Sequence, residues 1–287
     1  MNICPNDFVL EIGSGHNPKA RSDVLCDKFI GDDEQRGGAI VTDRPMVEAD
    51  GEFLPFADQA FDYVICSHVL EHVKDPKRFI AELTRVASRG YIETPSEIGE
   101  RIYGWHYHNW VINLVDDCLV LRKNEKNSQF GQLFHRLAVT DKHWKRFHIT
   151  HHHLFLVQYE WEDEINYKIL LDHESALDLE CHDTLDRLLA SNGNVLRHNA
   201  WLLLLKSAVP RGIVSRAKSL LARLASQNLL SKATKSKSRQ TKTLQEILVC
   251  PQCKGEITWE EKRLRCKVCE QCYPIIDGIP RFTIFKC

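Results

Sequence analysis

The clearest chemical signal in the sequence is a pair of Cys-x-x-Cys motifs in its last forty residues. Cys250 and Cys253 form the first motif and Cys266 and Cys269 the second, with twelve residues between them. Two thiolates at this spacing can bind one tetrahedral ion, and twelve residues suit a short hairpin between the motifs. Four cysteine ligands leave no open coordination position, so we predict a structural Zn²⁺ ion rather than a catalytic one. Cys272 remains an alternative ligand to Cys269.

A second signal is a turn with two glycines directly after a short apolar segment. Residues 8–12 are Phe-Val-Leu-Glu-Ile and run into Gly13-Ser14-Gly15. Glycine has no Cβ, so the backbone of such a turn can pass close to a ligand. The third glycine of the dinucleotide motif is missing, because position 18 is Pro18. Asp27 and Asp50 end two further apolar segments, and their carboxylates suit ribose hydroxyls and an adenine amine.

A sheet is needed to bring these polar residues together. Short apolar segments end at Gly13, Asp27, Asp50 and Ser67, and an apolar stripe at helical spacing runs from Phe79 to Val86. Strands that alternate with helices are typical of a parallel sheet, which binds ligands beyond the carboxyl ends of its strands. Residues 154–161 and 165–171 are interpreted as two strands or a hairpin, and residues 200–205 as a last buried strand. We therefore predict an α/β fold with a mostly parallel sheet and a last antiparallel strand.

Charge divides the chain into three parts. Residues 1–206 carry a net charge of −11, residues 207–243 carry +9 with no acidic residue, and residues 244–287 carry +1. The first part is predicted to be the α/β domain and the last a small zinc-binding domain. The connector is interpreted as a basic amphipathic helix over residues 213–224 and a flexible linker after it. Residues 211–242 suit an anionic membrane surface or a nucleic acid, but the alternatives are a solvated tether or a contact with the acidic body.

Composition also limits the compartment. The eleven cysteines are odd in number and irregularly spaced, which argues against a disulfide framework and for a reducing environment. No run approaches the roughly 18 apolar residues of a membrane-spanning helix, and the N-terminus lacks the pattern of a secretory signal. We expect a cytoplasmic protein, with peripheral attachment to a membrane left open. The sequence implies no stable partner chain.

The chain resembles the class I S-adenosylmethionine-dependent methyltransferases over roughly residues 8–95. Four stretches carry the resemblance: residues 9–18, 54–56, 61–64 and 69–73. It implies a Rossmann-like sheet and S-adenosyl-L-methionine as the cofactor. It also implies cofactor contacts as follows: Glu11, Gly13, Ser14 and Gly15 around the methionine, Asp27 at the ribose, Asp50 and Gly51 at the adenine, Ser67 and His68 near the sulfonium. Asp27 as a turn cap and Glu71 as a solvated helix residue are the alternative interpretations.

The C-terminal part resembles a second family. Residues 248–255 and 273–280 around the two Cys-x-x-Cys motifs are similar to the small zinc-ribbon activator of eukaryotic tRNA, rRNA and release-factor methyltransferases and to its bacterial relatives. In that family the ribbon binds and stabilises a methyltransferase subunit. Here it is fused to the domain that it would stabilise.

In the methyltransferase part, only about 14 residues separate Gly13 from Asp27, so the first helix of the fold is expected to be short or irregular.

The methyl acceptor is less readable than the cofactor. The strand that ends at Ser67 lacks the Asn/Asp-Pro-Pro-aromatic motif of enzymes that methylate adenine or glutamine nitrogens. A hydroxyl acceptor needs a base, and His108, which lies among Trp105, Tyr107 and Trp110, is the first candidate, with His68 as the second. The other histidines between residues 106 and 153 are interpreted as solvated or packed groups, with metal binding as an alternative.

Three functions follow from this reading. The first is methyl transfer to a hydroxyl of a small molecule, lipid or glycan. The second is methylation of RNA or of a translation protein, and the third is a non-catalytic zinc-ribbon scaffold with a degenerate adenosyl site. The acidic body disfavours a large nucleic-acid footprint, which requires a basic face. Because every cofactor position is filled by a suitable residue, the scaffold is the least favoured.

Overall fold

A computed structural model describes residues 1–31, 38–125, 130–170 and 241–283 of the chain. Its main sheet has six strands in the order β3-β2-β1-β4-β5-β8. The strands are β1 (Val9–Ile12), β2 (Val24–Asp27), β3 (Met46–Glu48), β4 (Tyr63–Ser67), β5 (Arg89–Pro95) and β8 (Leu156–Glu162). The first five are parallel, and β8 lies antiparallel to β5. This architecture confirms the predicted α/β class with a last antiparallel strand.

The strands form where short apolar runs can be buried on both faces. Every residue of β1, β2 and β3 is buried, as expected for the interior of a parallel sheet. Helix α1 (Pro76–Val86) begins where Asp75 accepts a hydrogen bond from Arg78 N, and Pro76 occupies its first turn. Its predicted apolar stripe is buried: Phe79, Ile80, Leu83 and Val86.

The connection from β1 to β2 is a series of turns. Residues 13–23, all of them described, contain no helix. Glu11 holds this segment in place, because its carboxylate accepts a hydrogen bond from Lys19 N at 2.8 Å and another from the Ser22 hydroxyl. The expectation of a short or irregular first helix is therefore wrong: a helix-free series of turns connects β1 to β2.

The described residues between 96 and 155, a segment without a clean sequence period, build a layer beside the carboxyl end of β4. The layer contains α2 (Glu97–Tyr103), β6 (Trp110–Val115), β7 (Cys118–Lys123), α3 (Gly131–Thr140), α4 (Lys142–Thr150) and α5 (His152–Phe155). Strands β6 and β7 form a hairpin, and β9 (Tyr167–Ile169) adds to it parallel to β7. The two strands expected over residues 154–171 are present, but they pair with different sheets and do not form a hairpin with each other. The chain enters β8 from a helical turn at His152 and His153, so these histidines do not lie in a strand.

The C-terminal part forms a small antiparallel sheet. Helix α6 (Leu244–Ile247) precedes β10 (Ile257–Trp259), β11 (Arg263–Cys266), β12 (Cys272–Ile276) and β13 (Ile279–Pro280), in the sheet order β10-β11-β12-β13. Twelve residues between the two Cys-x-x-Cys motifs hold the β10–β11 hairpin, as the spacing predicts. We call residues 244–283 the ribbon and residues 1–170 the body.

The ribbon packs directly on the body. Ala57 N donates to Ile247 O at 2.8 Å and Val249 N to Pro55 O at 2.9 Å, so the start of the ribbon pairs with the segment after Leu54. Its end lies along the free edge of β3, where Phe282 N donates to Glu48 O at 2.7 Å. Buried residues of both parts form one continuous apolar core that includes Ile247, Tyr273 and Phe282.

Three predicted features lie outside the described residues. These are the strand over residues 200–205, the amphipathic helix over residues 213–224 and most of the linker before Lys242. Where the chain is described, none of its helices is long and apolar enough to span a bilayer.

Candidate active site

A cavity of about 690 Å³ opens at the carboxyl ends of β1, β2 and β4. Its size is typical of a site for a small molecule or cofactor. The structure brings all the predicted cofactor residues to its wall: Glu11, Gly13, Ser14, Gly15, Asp27, Asp50, Gly51, Ser67 and His68. These residues come from separate segments and meet here because each one ends or follows a strand of the same parallel sheet.

The glycine turn has a backbone that other residues would not adopt easily. Gly13 has φ +70° and Gly15 has φ +54°, both in the left-handed region. A Cβ on Gly13 would lie 2.2 Å from Val69 Cγ2, so there is also no space for a side chain. At Gly13 the turn therefore exposes backbone, rather than a side chain, to a ligand in the cavity.

Asp27 fixes this turn. One of its carboxylate oxygens accepts a hydrogen bond from Gly15 N at 3.0 Å and the other accepts one from Phe29 N at 3.0 Å. The residue is thus a turn cap, as its alternative interpretation states. It also lines the cavity.

Asp50 and Glu11 lie on either side of Asp27. Asp50 begins a 3-10 turn by accepting a hydrogen bond from Glu52 N at 3.0 Å, and its other oxygen is 2.6 Å from Lys28 Nζ. Glu11 is almost fully buried beneath the glycine turn, and burial raises the pKa of its carboxyl group. The two acids therefore differ. Asp50 is ion-paired with Lys28 at the cavity wall, whereas Glu11 accepts hydrogen bonds that hold the chain segment below the glycine turn.

Two hydroxyl groups at the cavity lack hydrogen-bond partners among the described residues. The side-chain oxygens of Ser14 and Ser67 are buried and make no hydrogen bond to any described group. Buried hydroxyls are normally satisfied, and an orphaned pair at a cavity wall fits a polar ligand that supplies the missing contacts.

His68 stands at the exposed end of β4, with φ 56°. Its ring lies between two carboxylates, with Nδ1 3.4 Å from Glu71 Oε1 and Nε2 3.8 Å from Glu93 Oε1. Burial lowers the pKa of His68, but Glu71 and Glu93 outweigh burial and raise the pKa above its usual value. His68 is thus a cavity-lining imidazole whose charge is set by two acids.

Glu71 is the residue whose interpretation must be corrected. It is 1% exposed and does not lie on a solvated helix face. Thr94 Oγ1 donates to its Oε2 at 3.1 Å, and the backbone of the Asn109-Trp110 segment covers it by donating two hydrogen bonds to Glu71 O. The sequence could not reveal this cover, because residues 109–110 are almost forty positions away.

The structure also changes the position expected for His108. Its ring packs among Trp105 and Tyr107, as the aromatic surroundings predict, but it is 4% exposed and does not line the cavity. His72 and Tyr107 stand in front of it at the cavity wall. A substrate proton has no direct path to His108 here.

His72 was not predicted as a site residue from the sequence, although His72 lies in the same 69–73 stretch that carries the methyltransferase resemblance.

The four predicted zinc ligands lie together in the ribbon. Their sulfur atoms are within 4.8 Å of one another, with Cys250 Sγ 3.6 Å from Cys269 Sγ and Cys253 Sγ 3.4 Å from Cys266 Sγ. A tetrahedral ion with Zn–S bonds of about 2.3 Å separates its sulfurs by about 3.8 Å, so the cluster fits zinc closely. Cys272 is outside this group and its Sγ faces Glu270 O.

Family models match both parts of the chain. Residues 27–92 match a methyltransferase domain, and residues 241–278 match the Trm112p-like proteins. A demethylmenaquinone methyltransferase of Thermobifida fusca is 32% identical over 117 residues, which cover 34% of this chain and 50% of the relative. A UPF0434 protein of Shewanella sediminis is 51% identical over 41 residues, which cover 14% of this chain and 68% of the relative. The chain thus spans about half to two thirds of the length of these relatives.

Among solved structures, a complex between the Haloferax volcanii Trm112 methyltransferase activator and a methyltransferase is similar over 33% of this chain and 47% of that chain, with 18% identity and a TM-score of 0.27. Both resemblances predicted from the sequence are confirmed by the family models. The chain therefore carries a methyltransferase domain and, through its C-terminal part, belongs to the Trm112p-like family.

Proposed function

We propose that the chain transfers the methyl group of S-adenosylmethionine to a hydroxyl group of a small molecule, a lipid or a glycan. The observation that carries this proposal is the cavity at the carboxyl ends of β1, β2 and β4, with its glycine turn, its acids and its two orphaned hydroxyls. The name of the Thermobifida fusca relative supports a small-molecule acceptor. Methylation of RNA or of a translation protein is less favoured, because residues 1–206 carry a net charge of −11.

The residues would divide the reaction as follows. The glycine turn and Asp27 would hold S-adenosylmethionine, which supplies the methyl group. The acceptor oxygen forms a bond to that carbon, the carbon–sulfur bond breaks, and sulfur keeps the electron pair as S-adenosylhomocysteine. Positioning supplies much of the rate in such an in-line displacement. His68 at the cavity wall takes the proton that the hydroxyl loses.

Residues outside the cavity have supporting roles in this proposal. A structural zinc ion bound by Cys250, Cys253, Cys266 and Cys269 would hold the ribbon in the form that packs on the body. We also propose the domain boundaries that the sequence predicts: the methyltransferase domain over residues 1–206, the basic connector over residues 207–243 and the ribbon from residue 244. Contact of residues 211–242 with an anionic surface rests on their charge alone.

Replacement of Asp27 by alanine tests the cofactor site. We expect Asp27→Ala to weaken S-adenosylmethionine binding by roughly 1–3 kcal/mol, because Gly15 N then lacks its partner and the ribose loses an acceptor. Calorimetry with S-adenosylmethionine and S-adenosylhomocysteine measures this. Asp62→Ala is the control, since Asp62 also accepts a backbone hydrogen bond, from Phe8 N at 2.7 Å, but does not line the cavity. Equal affinities in wild type and Asp27→Ala would show that the cofactor does not bind here.

Replacement of His68 by alanine tests the catalytic assignment. In a labelled-methyl screen over small-molecule, lipid, glycan, RNA and protein fractions, we expect the wild type to label a hydroxyl acceptor and His68→Ala to be slower by about 10²–10⁴-fold. The control is His106→Ala, because His106 is exposed and does not line the cavity. Labelling confined to RNA or protein would contradict the acceptor class, and an unchanged rate in His68→Ala would remove the base.

A further inference from the structure

A cluster of ionisable side chains that the proposed reaction does not use lies behind the cavity wall. Glu71 and His72 follow β4, His108 precedes β6, and one ligand atom from each lies within 4.8 Å of the other two. The rings of His72 and His108 meet nearly at right angles, with 4.6 Å between their centroids. Two imidazoles and one carboxylate are a donor set that suits first-row transition metals such as zinc, cobalt and iron, whereas magnesium and calcium prefer oxygen ligands.

The Glu71 carboxylate is the unusual member of this cluster. Its Oε1 is fully buried and makes no hydrogen bond to any described group. The nearest positive groups are imidazoles, with His68 Nδ1 at 3.4 Å and His72 Nε2 at 4.0 Å. A buried carboxylate oxygen without a hydrogen bond is costly, and a bound cation would satisfy it.

The charges around Glu71 lead to the same conclusion. Among the described residues, the ion pairs of Glu71 and of the neighbouring buried Glu100 are with histidines only. Glu97, on the same helix as Glu100, is instead paired with Arg101 and Arg122. Two buried carboxylates whose ion pairs, among the described residues, are with imidazoles alone would gain a fixed positive charge from a divalent ion.

Glu100 has the position of a residue that orients a metal-binding histidine. Its Oε1 is hydrogen-bonded to His108 Nδ1, which leaves Nε2 as the ring nitrogen available to a metal. A carboxylate on the far nitrogen of a ligating histidine fixes the tautomer and the direction of the ring. Glu100 is itself buried, and Asn124 Nδ2 donates to its other oxygen at 3.3 Å.

The two segments that carry the cluster are tied to each other. Asn109 N and Trp110 N donate to Glu71 O at 2.7 and 3.1 Å, and Asn109 Nδ2 donates to His72 O at 2.7 Å. Trp110 Nε1 extends the contact by donating to Val73 O at 2.9 Å. These bonds hold the segments of the three donor residues in one register, as a preformed site requires.

We propose that Glu71, His72 and His108 bind one divalent transition-metal ion, with Glu100 as the positioning residue for His108. Metal–nitrogen bonds of about 2.0–2.1 Å would bring the donor atoms to about 3.0–3.4 Å from one another. His72, whose side chain is 30% exposed, has the freedom to close that gap. Because His72 lines the cavity, an ion bound to it would lie at the edge of the space proposed for the acceptor.

This site deepens the proposed function and rests on it for its role. An ion at this position would bind the acceptor hydroxyl and make its proton easier to lose. It therefore favours acceptors that present an oxygen ligand to a metal, such as a pair of neighbouring hydroxyl groups.

Titration with Co²⁺ tests the site on the full chain. The ribbon is left loaded with zinc, and cobalt binding is followed by visible absorption and by metal analysis. Cobalt among thiolates has an intense sulfur-to-metal charge-transfer band, whereas cobalt bound by nitrogen and oxygen has only weak d–d bands. We expect one equivalent of Co²⁺ beyond the zinc, with weak bands only. We further expect about 10–100-fold weaker binding in Glu100→Gln and at least that in His72→Ala.

His106→Ala is the matched control, because His106 is exposed and lies two positions from His108; it should bind cobalt as the wild type does. Thermal melting of each variant identifies the folded ones, and because His72 is less buried than Glu71 and His108, His72→Ala is the safest to interpret. Absence of a second equivalent in folded wild type, or cobalt binding that persists in both His72→Ala and Glu71→Gln, overturns the metal site. Calorimetry with S-adenosylhomocysteine separates the two proposals: cobalt binding without cofactor binding refutes the methyltransferase, and the reverse refutes the metal.

Discussion

Replacing Cys253 by serine is expected to remove zinc from the chain and to release the ribbon from the body. Metal analysis should give one zinc fewer per molecule in Cys253→Ser than in the wild type. The effect is large because structural zinc binding supplies about 10–16 kcal/mol of folding free energy in small zinc domains, comparable with the whole stability of an average domain. Limited proteolysis should then cut the C-terminal forty residues of the variant while those of the wild type resist.

The matched control for this experiment is Cys272→Ser. Cys272 is a buried ribbon cysteine, but its sulfur is not among the four clustered ones. We expect Cys272→Ser to keep its zinc. Loss of zinc in Cys272→Ser together with retention in Cys253→Ser would contradict the ligand set.

Loss of the ribbon should also weaken the cofactor site. Lys254 Nζ, in the first cysteine loop, is 3.0 Å from Glu82 Oε2, and the same oxygen accepts a hydrogen bond from Leu54 N at 2.7 Å. Leu54 closes the 3-10 turn that begins at Asp50 and Gly51 on the cavity wall. At the free edge of the sheet, Arg281 pairs with Glu48 at 3.0 Å, two positions before Asp50. The ribbon thus supports both ends of the segment that is assigned to the adenine.

The cofactor cavity could be anticipated from the sequence because its geometry is local. Each predicted residue ends a short apolar run, and parallel strands bring their carboxyl ends to one edge whatever the order of the strands. Gly13, Asp27, Asp50 and Ser67 therefore meet at one cavity although up to 54 positions separate them. The same reasoning works for the cysteines, whose spacing alone defines a tetrahedral site.

The positions of Glu71 and His108 could not be anticipated, because they depend on how residues 96–125 pack over β4. The sequence places Glu71 in a polar, helix-like stretch and His108 among aromatic residues. The sequence carries no signal that Asn109 N donates to Glu71 O. This contact buries Glu71 and places His108 behind His72. The sequence also does not predict that the ribbon packs on the body. Ile247 and Leu248 are apolar, and the sequence alone does not say whether they are buried in the ribbon or against the body.

Replacing Gly13 by alanine is expected to remove cofactor binding and to destabilise the body by about 2–5 kcal/mol. The left-handed backbone at φ +70° costs about 1–2 kcal/mol for a residue with a Cβ. The new methyl group would also lie 2.2 Å from Val69 Cγ2, and overpacking of this kind costs about 1–3 kcal/mol. Because Val69 lies between Ser67 and the Glu71-His72 pair, any relief of the clash moves the wall of the cavity. Calorimetry with S-adenosylhomocysteine and urea unfolding measure the two effects.

Gly15→Ala separates backbone strain from steric overlap. Gly15 has φ +54°, but a Cβ there would come no closer than 3.9 Å to another atom, the Gly13 carbonyl oxygen. We therefore expect Gly15→Ala to lose only the 1–2 kcal/mol or so of backbone strain and to keep a measurable, weakened affinity for the cofactor. If Gly13→Ala unfolds at the same urea concentration as Gly15→Ala and binds the cofactor equally well, Val69 does not pack against the turn as the structure describes. In that case the close approach of backbone to ligand at Gly13 is not what shapes the site.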